Sequence, residues 1–575
     1  MATQPQTLAE RGGDAANAPW LHAYPDGVEW AFNEPPGTLT AMLDEAARRF
    51  GPRPALDFLG RRWSYAELGA QVDRAAEGFR GLGAGPGTRI GLCLPNSPYF
   101  VIAFFAALKA GATVVNFNPL YVETELAAQA ADSGTSIMVA IDLEPIFGRV
   151  LGLLGRGTVK RVVACRFHRA LRPLKAMAFR VSNRRMLATV PRNDDRVVGF
   201  ESLTASPPIA DPPPVSPEDL AVLQYTGGTT GTPKGVMLTH ANLTANCRQV
   251  QRWFPESRPG EERMMAVLPL FHVFALTTAM NAGLAWGAEI VLLPRFAPPQ
   301  LLAALRRRRP TLFPGVPTLF KAILDNGASR GDLASVRACI SGGAPLPLPV
   351  KQAFEAAAGC VLVEGYGLTE ASPVCFCNPV HGENRAGTIG LPLPGVRAEI
   401  RSLDDPGQRV PIGERGELVL RGPNIMRGYW QRLADTEAVT TPDGWLRTGD
   451  VGIMDSDGYV TLVDRIKDLI ICSGYNVYPR TVEEALYAHP DIAAATVLGM
   501  PDSYRGESVA AFVQPRTGAK LTEAALDEFL RERLSPVEMP RLIEIRAELP
   551  RTAVGKLSRK ELRDELLRRS PVARP

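Results

Sequence analysis

The stretch Tyr225-Thr226-Gly227-Gly228-Thr229-Thr230-Gly231-Thr232-Pro233-Lys234-Gly235 places four glycines, four threonines and one lysine in eleven residues. An apolar run, 220–223, precedes it, and a helical pattern starts near Thr239. The loop therefore joins a buried strand to a helix. Glycines let successive backbone N–H groups turn toward an anion, threonine hydroxyls add donors, and lysine adds a full charge. Such a loop suits a polyphosphate. It is not a Walker loop, because Lys234 is followed by Gly235 and not by Ser or Thr.

The rest of the chain sets this loop in an α/β frame. Residues 43–50 read as helix, 89–94 as a buried strand, 99–109 as a helix apolar on most faces, and 137–141 as another strand. Such alternation argues for parallel sheets covered by helices. Residues 206–217 carry six prolines and read as an extended connection. Near residue 400 the pattern changes to short alternating strands at 397–401 and 416–420, which suit a small barrel or antiparallel sheet. Beyond residue 464 a small α+β unit follows, with helices at 483–488 and 523–534. At 575 residues, 45% of them hydrophobic, the chain suits two to four packed units.

Charge and cysteine usage narrow the function classes. With 64 basic and 60 acidic residues the overall field does not indicate nucleic acid. The longest apolar run, 101–108, is too short to span a bilayer, and the N-terminus has no apolar core of a secretory signal. The eight cysteines read as reduced thiols of a cytoplasmic protein; Cys375 and Cys377 have no partner pair at zinc spacing. One region departs from this balance. Residues 145–192 hold twelve Lys and Arg and no Asp or Glu, with Leu171, Leu174, Met177, Phe179 and Met186 interleaved. That pattern suits an amphipathic element on an anionic membrane surface; a solvated basic face is the plainer alternative.

Further motifs carry chemistry. Gly365-Tyr366-Gly367-Leu368-Thr369-Glu370 follows an apolar strand. A tyrosine between glycines can offer its ring face to a base, Thr369 can donate to a phosphate, and Glu370 can ligate Mg2+, which prefers hard oxygens. Asp450, in Trp445-Leu446-Arg447-Thr448-Gly449-Asp450, can accept from two ribose hydroxyls, and Arg465 can support the same sugar. Gly342-Gly343-Ala344-Pro345-Leu346 forms a turn after the strand-like 338–341. His272 follows Leu268-Pro269-Leu270-Phe271. Near the C-terminus, Pro550-Arg551-Thr552-Ala553-Val554-Gly555-Lys556 sets a lysine after an irregular stretch.

These motifs, in this order from Trp63-Ser64-Tyr65 to Lys556, resemble the adenylate-forming enzymes: acyl-CoA synthetases, luciferases and peptide-synthetase adenylation domains. The Gly227-Gly228 form of the loop is most similar to bacterial long-chain fatty-acid–CoA ligases. The resemblance implies a large N-terminal domain of helix-covered sheets (41–465, after an irregular arm 1–40) with a β-barrel-like subdomain (395–464), then a small mobile α+β domain (466–575). It implies ATP, Mg2+ and coenzyme A. Nucleotide binding falls to Thr226, Gly227, Gly228, Thr229, Thr230, Gly231, Lys234, Gly343, Ala344, Gly365, Tyr366, Gly367, Asp450 and Arg465. Lys556, Thr369, Glu370 and His272 serve catalysis, Glu370 as the metal ligand and His272 by position beside the acyl carbon. Lys467 matches the family hinge. Ser473 and Gly474 line a tunnel for the pantetheine thiol after the small domain turns. One closure puts Lys556 at the α-phosphate; the other removes it for thioester formation.

The expected reaction is activation of a medium- or long-chain fatty acid to acyl-AMP, then transfer to coenzyme A. An aryl-acid ligase of the coumarate type and a fatty-acyl-AMP ligase serving a carrier protein are alternatives. A peptide-synthetase module is disfavoured because the chain ends soon after Lys556. An inactive acyl- or nucleotide-binding scaffold would be expected to lose one of Lys234, Glu370, Asp450, Arg465 and Lys556, and all are present. Expected partners are fatty acid, CoA and, through 145–193, an anionic membrane, with no nucleic acid. The sequence leaves the oligomeric state open, a homodimer included.

Overall fold

Helix starts and buried strands follow directly from local sequence. The computed structural model describes residues 18–226, 233–472, 475–502, 504–552 and 557–569. Helix Tyr65–Gly81 begins with a capping box: the Ser64 hydroxyl accepts from Glu67 N, and the Glu67 carboxylate accepts from Ser64 N at 2.7 Å. Helix His240–Trp253 begins the same way, with Thr239 and Asn242. Helix Pro98–Lys109 has Ser97 as its cap and proline in its first turn, and eleven of its residues are buried. It is a core helix, as its apolar composition predicts.

The chain divides into two compact units. The first, Trp20–Arg397 with Arg421–Thr440, holds two large sheets. In the nine-stranded sheet six parallel strands lie in the order Val361–Gly367, Ala338–Ser341, Leu312–Gly315, Arg263–Ala266, Glu289–Leu292 and Pro54–Phe58. Antiparallel strands Val374–Cys377 and Leu391–Pro392 extend one side, and Arg61–Ser64 the other. In the eight-stranded sheet the parallel strands run Leu220–Thr226, Thr113–Asn116, Arg89–Cys93, Ile137–Ile141, Arg161–Cys165 and Val197–Gly199. Lys234–Thr239 and then Gly428–Tyr429 add antiparallel strands beyond Leu220–Thr226.

Apolar helix faces close over these sheets. Met265, Val291, Phe313, Cys339 and Leu362 pack with Leu301 and Leu305, Leu319 and Phe320, and Phe354 from three helices. Met138, Ala140, Val162 and Ala164 pack with Leu126, Ala130, Phe147, Val150 and Leu153 from two others. Each fully buried Leu or Phe of this kind stabilises the fold by about 1.5–3 kcal/mol. The basic stretch 145–193 thus divides in two. Helix Ile146–Gly155 and strand Arg161–Cys165 belong to this core, whereas helix Pro173–Ser182 contains no buried residue.

The second unit, Ala398–Leu420 with Thr441–Pro575, holds two smaller sheets. One has four strands in the order Arg397–Arg401, Arg415–Arg421, Leu446–Met454 and Val460–Arg465. The other centres on the antiparallel pair Ile492–Asp502 and Gly506–Pro515, with Leu542–Ile545 parallel to the latter. Strand alternation sorts its two faces. Ala495, Val497, Val509, Ala511 and Val513 pack with Val482, Leu486, Leu526 and Leu530, while Ala494, Leu498, Ala510 and Phe512 pack with Leu562 and Leu566. The connection 206–217 contains no helix or strand, as its prolines require. Among the described residues no helix is long and apolar enough to cross a membrane.

Candidate active site

In the first unit, the ends of the glycine-rich loop are held by a strand pair. Thr226 lies opposite Lys234 and Tyr225 opposite Gly235 in the antiparallel register. A Cβ on Gly235 would stand 3.1 Å from the Tyr225 ring, so the position favours glycine. Candidates Gly227, Gly228, Thr229, Thr230 and Gly231 lie outside the described residues, as do Ser473, Gly474 and Lys556.

Lys234 Nζ sits 2.6 Å from Asp435 Oδ1 and 5.1 Å from the centre of the Tyr429 ring. The Tyr429 hydroxyl donates to Glu370 Oε1 at 2.7 Å. Burial first, and then the charge of Glu370, raise the pKa of this phenol, so it remains a donor. Tyr429 reaches this place because its short strand pairs with Lys234–Thr239, with Tyr429 opposite Val236. Sequence reading missed Tyr429 and Asp435. The available signal was Arg427-Gly428-Tyr429-Trp430, an aromatic pair beside glycine with no chemistry of its own to single it out.

Glu370 and Thr369 lie in the short turn Thr369–Ala371, directly after strand Val361–Gly367. Tyr366 belongs to that strand, where it pairs with Phe376, and the two rings meet edge to face at 6.2 Å. The flanking glycines answer to packing. A Cβ on Gly367 would fall 1.8 Å from the Pro373 carbonyl oxygen, and one on Gly365 2.7 Å from Ile340 Cδ1. The same Pro373 carbonyl accepts from Leu368 N at 3.1 Å, which fixes the turn carrying Thr369 and Glu370.

Two links bring His272 and the turn 342–344 into the same unit of structure. Buried Gln224, on the strand entering the glycine-rich loop, donates to the Phe271 carbonyl at 2.9 Å and accepts from Asn116 Nδ2 at 2.9 Å. His272 caps the next turn, its Nδ1 accepting from Phe274 N at 3.4 Å. The Phe274 ring lies where a Cβ on Gly342 would meet it at 2.9 Å, and Gly343 adopts φ +81°. The chain then forms a π-helical turn, Leu276–Asn281, a geometry concentrated at functional sites. His240 is unconnected with this chemistry. Burial lowers its pKa to about 4, and the neutral ring accepts from Leu39 N at 3.2 Å.

In the second unit, Asp450 and Arg465 face each other across two antiparallel strands, and Arg465 Nε is 3.0 Å from Asp450 Oδ1. Asp450 is 5% exposed, whereas half of the Arg465 side chain is open. The approach to Asp450 is shaped by buried Glu417, which pairs with Arg447 at 2.8 Å and accepts from Gly449 N at 3.0 Å. A register shift beside Glu417 re-aims the strand there, and Thr448 Oγ1 accepts from Asp450 N at 3.0 Å. Lys467 lies exposed in the turn Ile466–Asp468. Its neighbour Asp468 is held by Arg559 at 2.9 Å and Arg563 at 3.2 Å, and Arg559 also pairs with Glu483 at 2.7 Å. Burial opposes the charge of Arg559, but Glu483, Asp468 and Asp464 outweigh it and raise its pKa. Arg551 and Leu557 form a bridge, and Ser558 N donates to the Pro550 carbonyl at 2.8 Å.

The donor set fits magnesium better than a protein-caged metal. Among the described residues no cluster of three or more His, Cys, Asp or Glu could hold an ion. Glu370 is a single tethered carboxylate beside Thr369 and belongs to the same network as Lys234. Mg2+ is commonly bound by one or two carboxylates, with the phosphates of its substrate and water completing the shell.

Comparison with known proteins places the chain in a family. The family profile described as AMP-binding enzyme matches residues 43–430, and that of the AMP-binding enzyme C-terminal domain matches 481–556. A long-chain-fatty-acid–CoA ligase of Bacillus subtilis is 40% identical over 551 residues, spanning 95% of this chain and 98% of that protein. A feruloyl-CoA synthase of an Amycolatopsis species is 36% identical over 508 residues, spanning 88% and 94%. Among solved structures, ATP-bound MatB from Rhodopseudomonas palustris superposes with a TM-score of 0.80 at 28% identity, covering 92% of this chain and 98% of that one.

Proposed function

Because the chain belongs to the AMP-binding enzyme family, we propose that it joins a long-chain fatty acid to coenzyme A with ATP as the activating agent. It is an AMP-forming acid–thiol ligase, and the fatty substrate is the finer reading. The observation that carries it is the match to a fatty-acid ligase at 40% identity over nearly the whole of both chains.

A carboxylate at neutral pH is a poor acyl donor, because its charge repels nucleophiles and its oxygen is a poor leaving group. In the first step one carboxylate oxygen attacks the α-phosphorus of ATP and pyrophosphate leaves, giving an acyl-adenylate. In the second the thiol sulfur of coenzyme A attacks the acyl carbon, its proton is lost, and AMP departs with the bridging oxygen.

Residue roles are assigned from the family resemblance together with the chemistry of each group. Lys234 and the donors of the glycine-rich loop, Thr226 among them, neutralise the outer phosphates. Tyr366 offers its ring to adenine beside Gly343 and Ala344. Thr369 donates to the α-phosphate. Glu370, oriented by Tyr429, would ligate Mg2+, which when bound screens phosphate charge. Asp450 accepts from the ribose hydroxyls, and Arg465 orients that carboxylate. Lys556 supplies a cation where negative charge builds during substitution. His272 guards the acyl carbon by position, Lys467 provides a backbone pivot, and Ser473 and Gly474 belong to the thiol-transfer state. A cytoplasmic setting, where ATP and coenzyme A are at hand, is part of this reading.

Tyr429 provides a test of the metal role. Outer partners of metal ligands typically contribute 10–100-fold in metal affinity. Tyr429→Phe removes only the hydroxyl on Glu370, so the Mg2+ concentration for half-maximal adenylation should rise by about tenfold or more. An unchanged Mg2+ dependence would remove Glu370 from the metal site.

Feruloyl-CoA synthase at 36% identity supports a second reading, an aryl-acid substrate. Pyrophosphate release over saturated acids of graded length and over ferulate and benzoate, with and without coenzyme A, separates the two. The fatty reading expects kcat/KM for palmitate to exceed that for ferulate by about 10²-fold or more, because each methylene in an apolar pocket adds discrimination. Equal or better use of ferulate would overturn it in favour of the aryl reading.

A further inference from the structure

We propose that helix Pro173–Ser182, with Met186 just beyond it, is a docking element for an anionic lipid bilayer. The inference is independent of which acid is activated. Leu174, Met177 and Val181 recur at the spacing of one helical face and are 80%, 64% and 72% exposed; Met186 is 45% exposed. An exposed aliphatic strip of this kind on an otherwise well-packed unit is a binding surface and not a core remnant.

The helix is fixed on its inner side. Phe179 packs on Phe167 with ring centres 4.8 Å apart, and Phe167 on Phe58 at 5.8 Å. Lys175 Nζ donates to the Leu59 carbonyl at 2.8 Å. With Phe179 and the Lys175 ammonium turned inward, helical periodicity puts Arg180 on the flank of the strip. Arg172, Arg184 and Arg185 extend the positive border, and all three are exposed.

Nearby acids do not cancel this charge. Glu201 is paired with Arg169 at 3.3 Å, and buried Asp57 with Arg62 and Arg308, each at 3.2 Å. No Asp or Glu occurs between residues 145 and 192. The surface therefore combines two features that select one occupant. A nucleic-acid backbone would use the arginines but leave Leu174, Met177 and Val181 in water. A bilayer with anionic headgroups uses both, with the strip entering the headgroup–acyl boundary and the basic flanks at headgroup level.

The test is flotation of the full-length protein with phosphatidylcholine vesicles, with and without phosphatidylglycerol. Wild type should float with the anionic vesicles and at least ~10-fold less with phosphatidylcholine alone, since each basic residue near an anionic surface adds several-fold to binding. Leu174→Ser/Met177→Ser/Val181→Ser and Arg180→Glu/Arg184→Glu/Arg185→Glu should each lower flotation by ~10-fold or more, with melting temperatures unchanged because the altered side chains are exposed. A second probe avoids loss-of-binding variants: a Trp introduced as Met177→Trp should be quenched by brominated lipid in anionic vesicles. Absence of wild-type flotation, wild-type flotation by either triple variant, or an unquenched tryptophan would each overturn the proposal. Loss of RNA retention in the charge variant, with undiminished flotation of the serine variant, would assign the surface to nucleic acid instead.

Discussion

Lys556→Ala is expected to lose acid-dependent exchange of pyrophosphate into ATP by about 10²–10³-fold, the usual cost of removing one placed donor from a developing charge. Transfer from supplied acyl-adenylate to coenzyme A should be largely spared. The asymmetry follows from where charge grows. In adenylation, negative charge accumulates on the α-phosphate and the departing pyrophosphate, and an ammonium there stabilises the transition state more than the bound ground state. In thioester formation the phosphate is already a diester-like leaving group, and the reacting centre is the acyl carbon. Pulsed assays of the two half-reactions measure both rates. Equal loss in each would remove Lys556 from its assigned place. The C-terminal family match runs to residue 556, and the described flanks are joined by the Arg551–Leu557 bridge and the hydrogen bond from Ser558 N to the Pro550 carbonyl.

Gly367→Ala should be nearly as damaging for a different reason. The added methyl would sit 1.8 Å from the Pro373 carbonyl oxygen, far inside any tolerable contact. That carbonyl is backbone, and it holds Leu368 N, so relief requires moving the turn with Thr369 and Glu370. Overpacking of this kind costs about 1–3 kcal/mol, occasionally more. Adenylation should fall further than stability does, because the displaced turn carries two groups assigned to the α-phosphate and the metal. Gly81→Ala is the control: nothing lies within 4 Å of its added Cβ, so it should be neutral or slightly stabilising. Urea unfolding and pyrophosphate release check both variants. A Gly367→Ala protein with wild-type midpoint and rate would contradict the packing argument.

The fold was legible wherever local chemistry decides it. The helix start near Thr239, the core helix 99–109 and the short strands near 397–401 and 416–420 all follow from nearby residues. Candidates for the site came from places where motifs concentrate chemistry, at Lys234, Thr369-Glu370 and Asp450. What stayed hidden depends on distant pairing. Tyr429 is 59 residues from Glu370, and Asp435 is 201 from Lys234, and only the strand Gly428–Tyr429 brings them in. The glycines around Tyr366 read as room for a base, whereas the contacts that demand them are Ile340 and Pro373. In the stretch 145–193 the run of charge masked a core helix and strand, because Val150, Leu153 and Val162 alternate with the very arginines that drew attention.

The central claim is that an acid oxygen becomes bonded to the α-phosphorus of ATP. Palmitate labelled with 18O in both carboxylate positions tests it most directly. After one turnover with ATP and coenzyme A, mass spectrometry should find one 18O in AMP, one in the thioester carbonyl, and none in pyrophosphate. Label in pyrophosphate or inorganic phosphate, or AMP without label while thioester accumulates, would contradict the account.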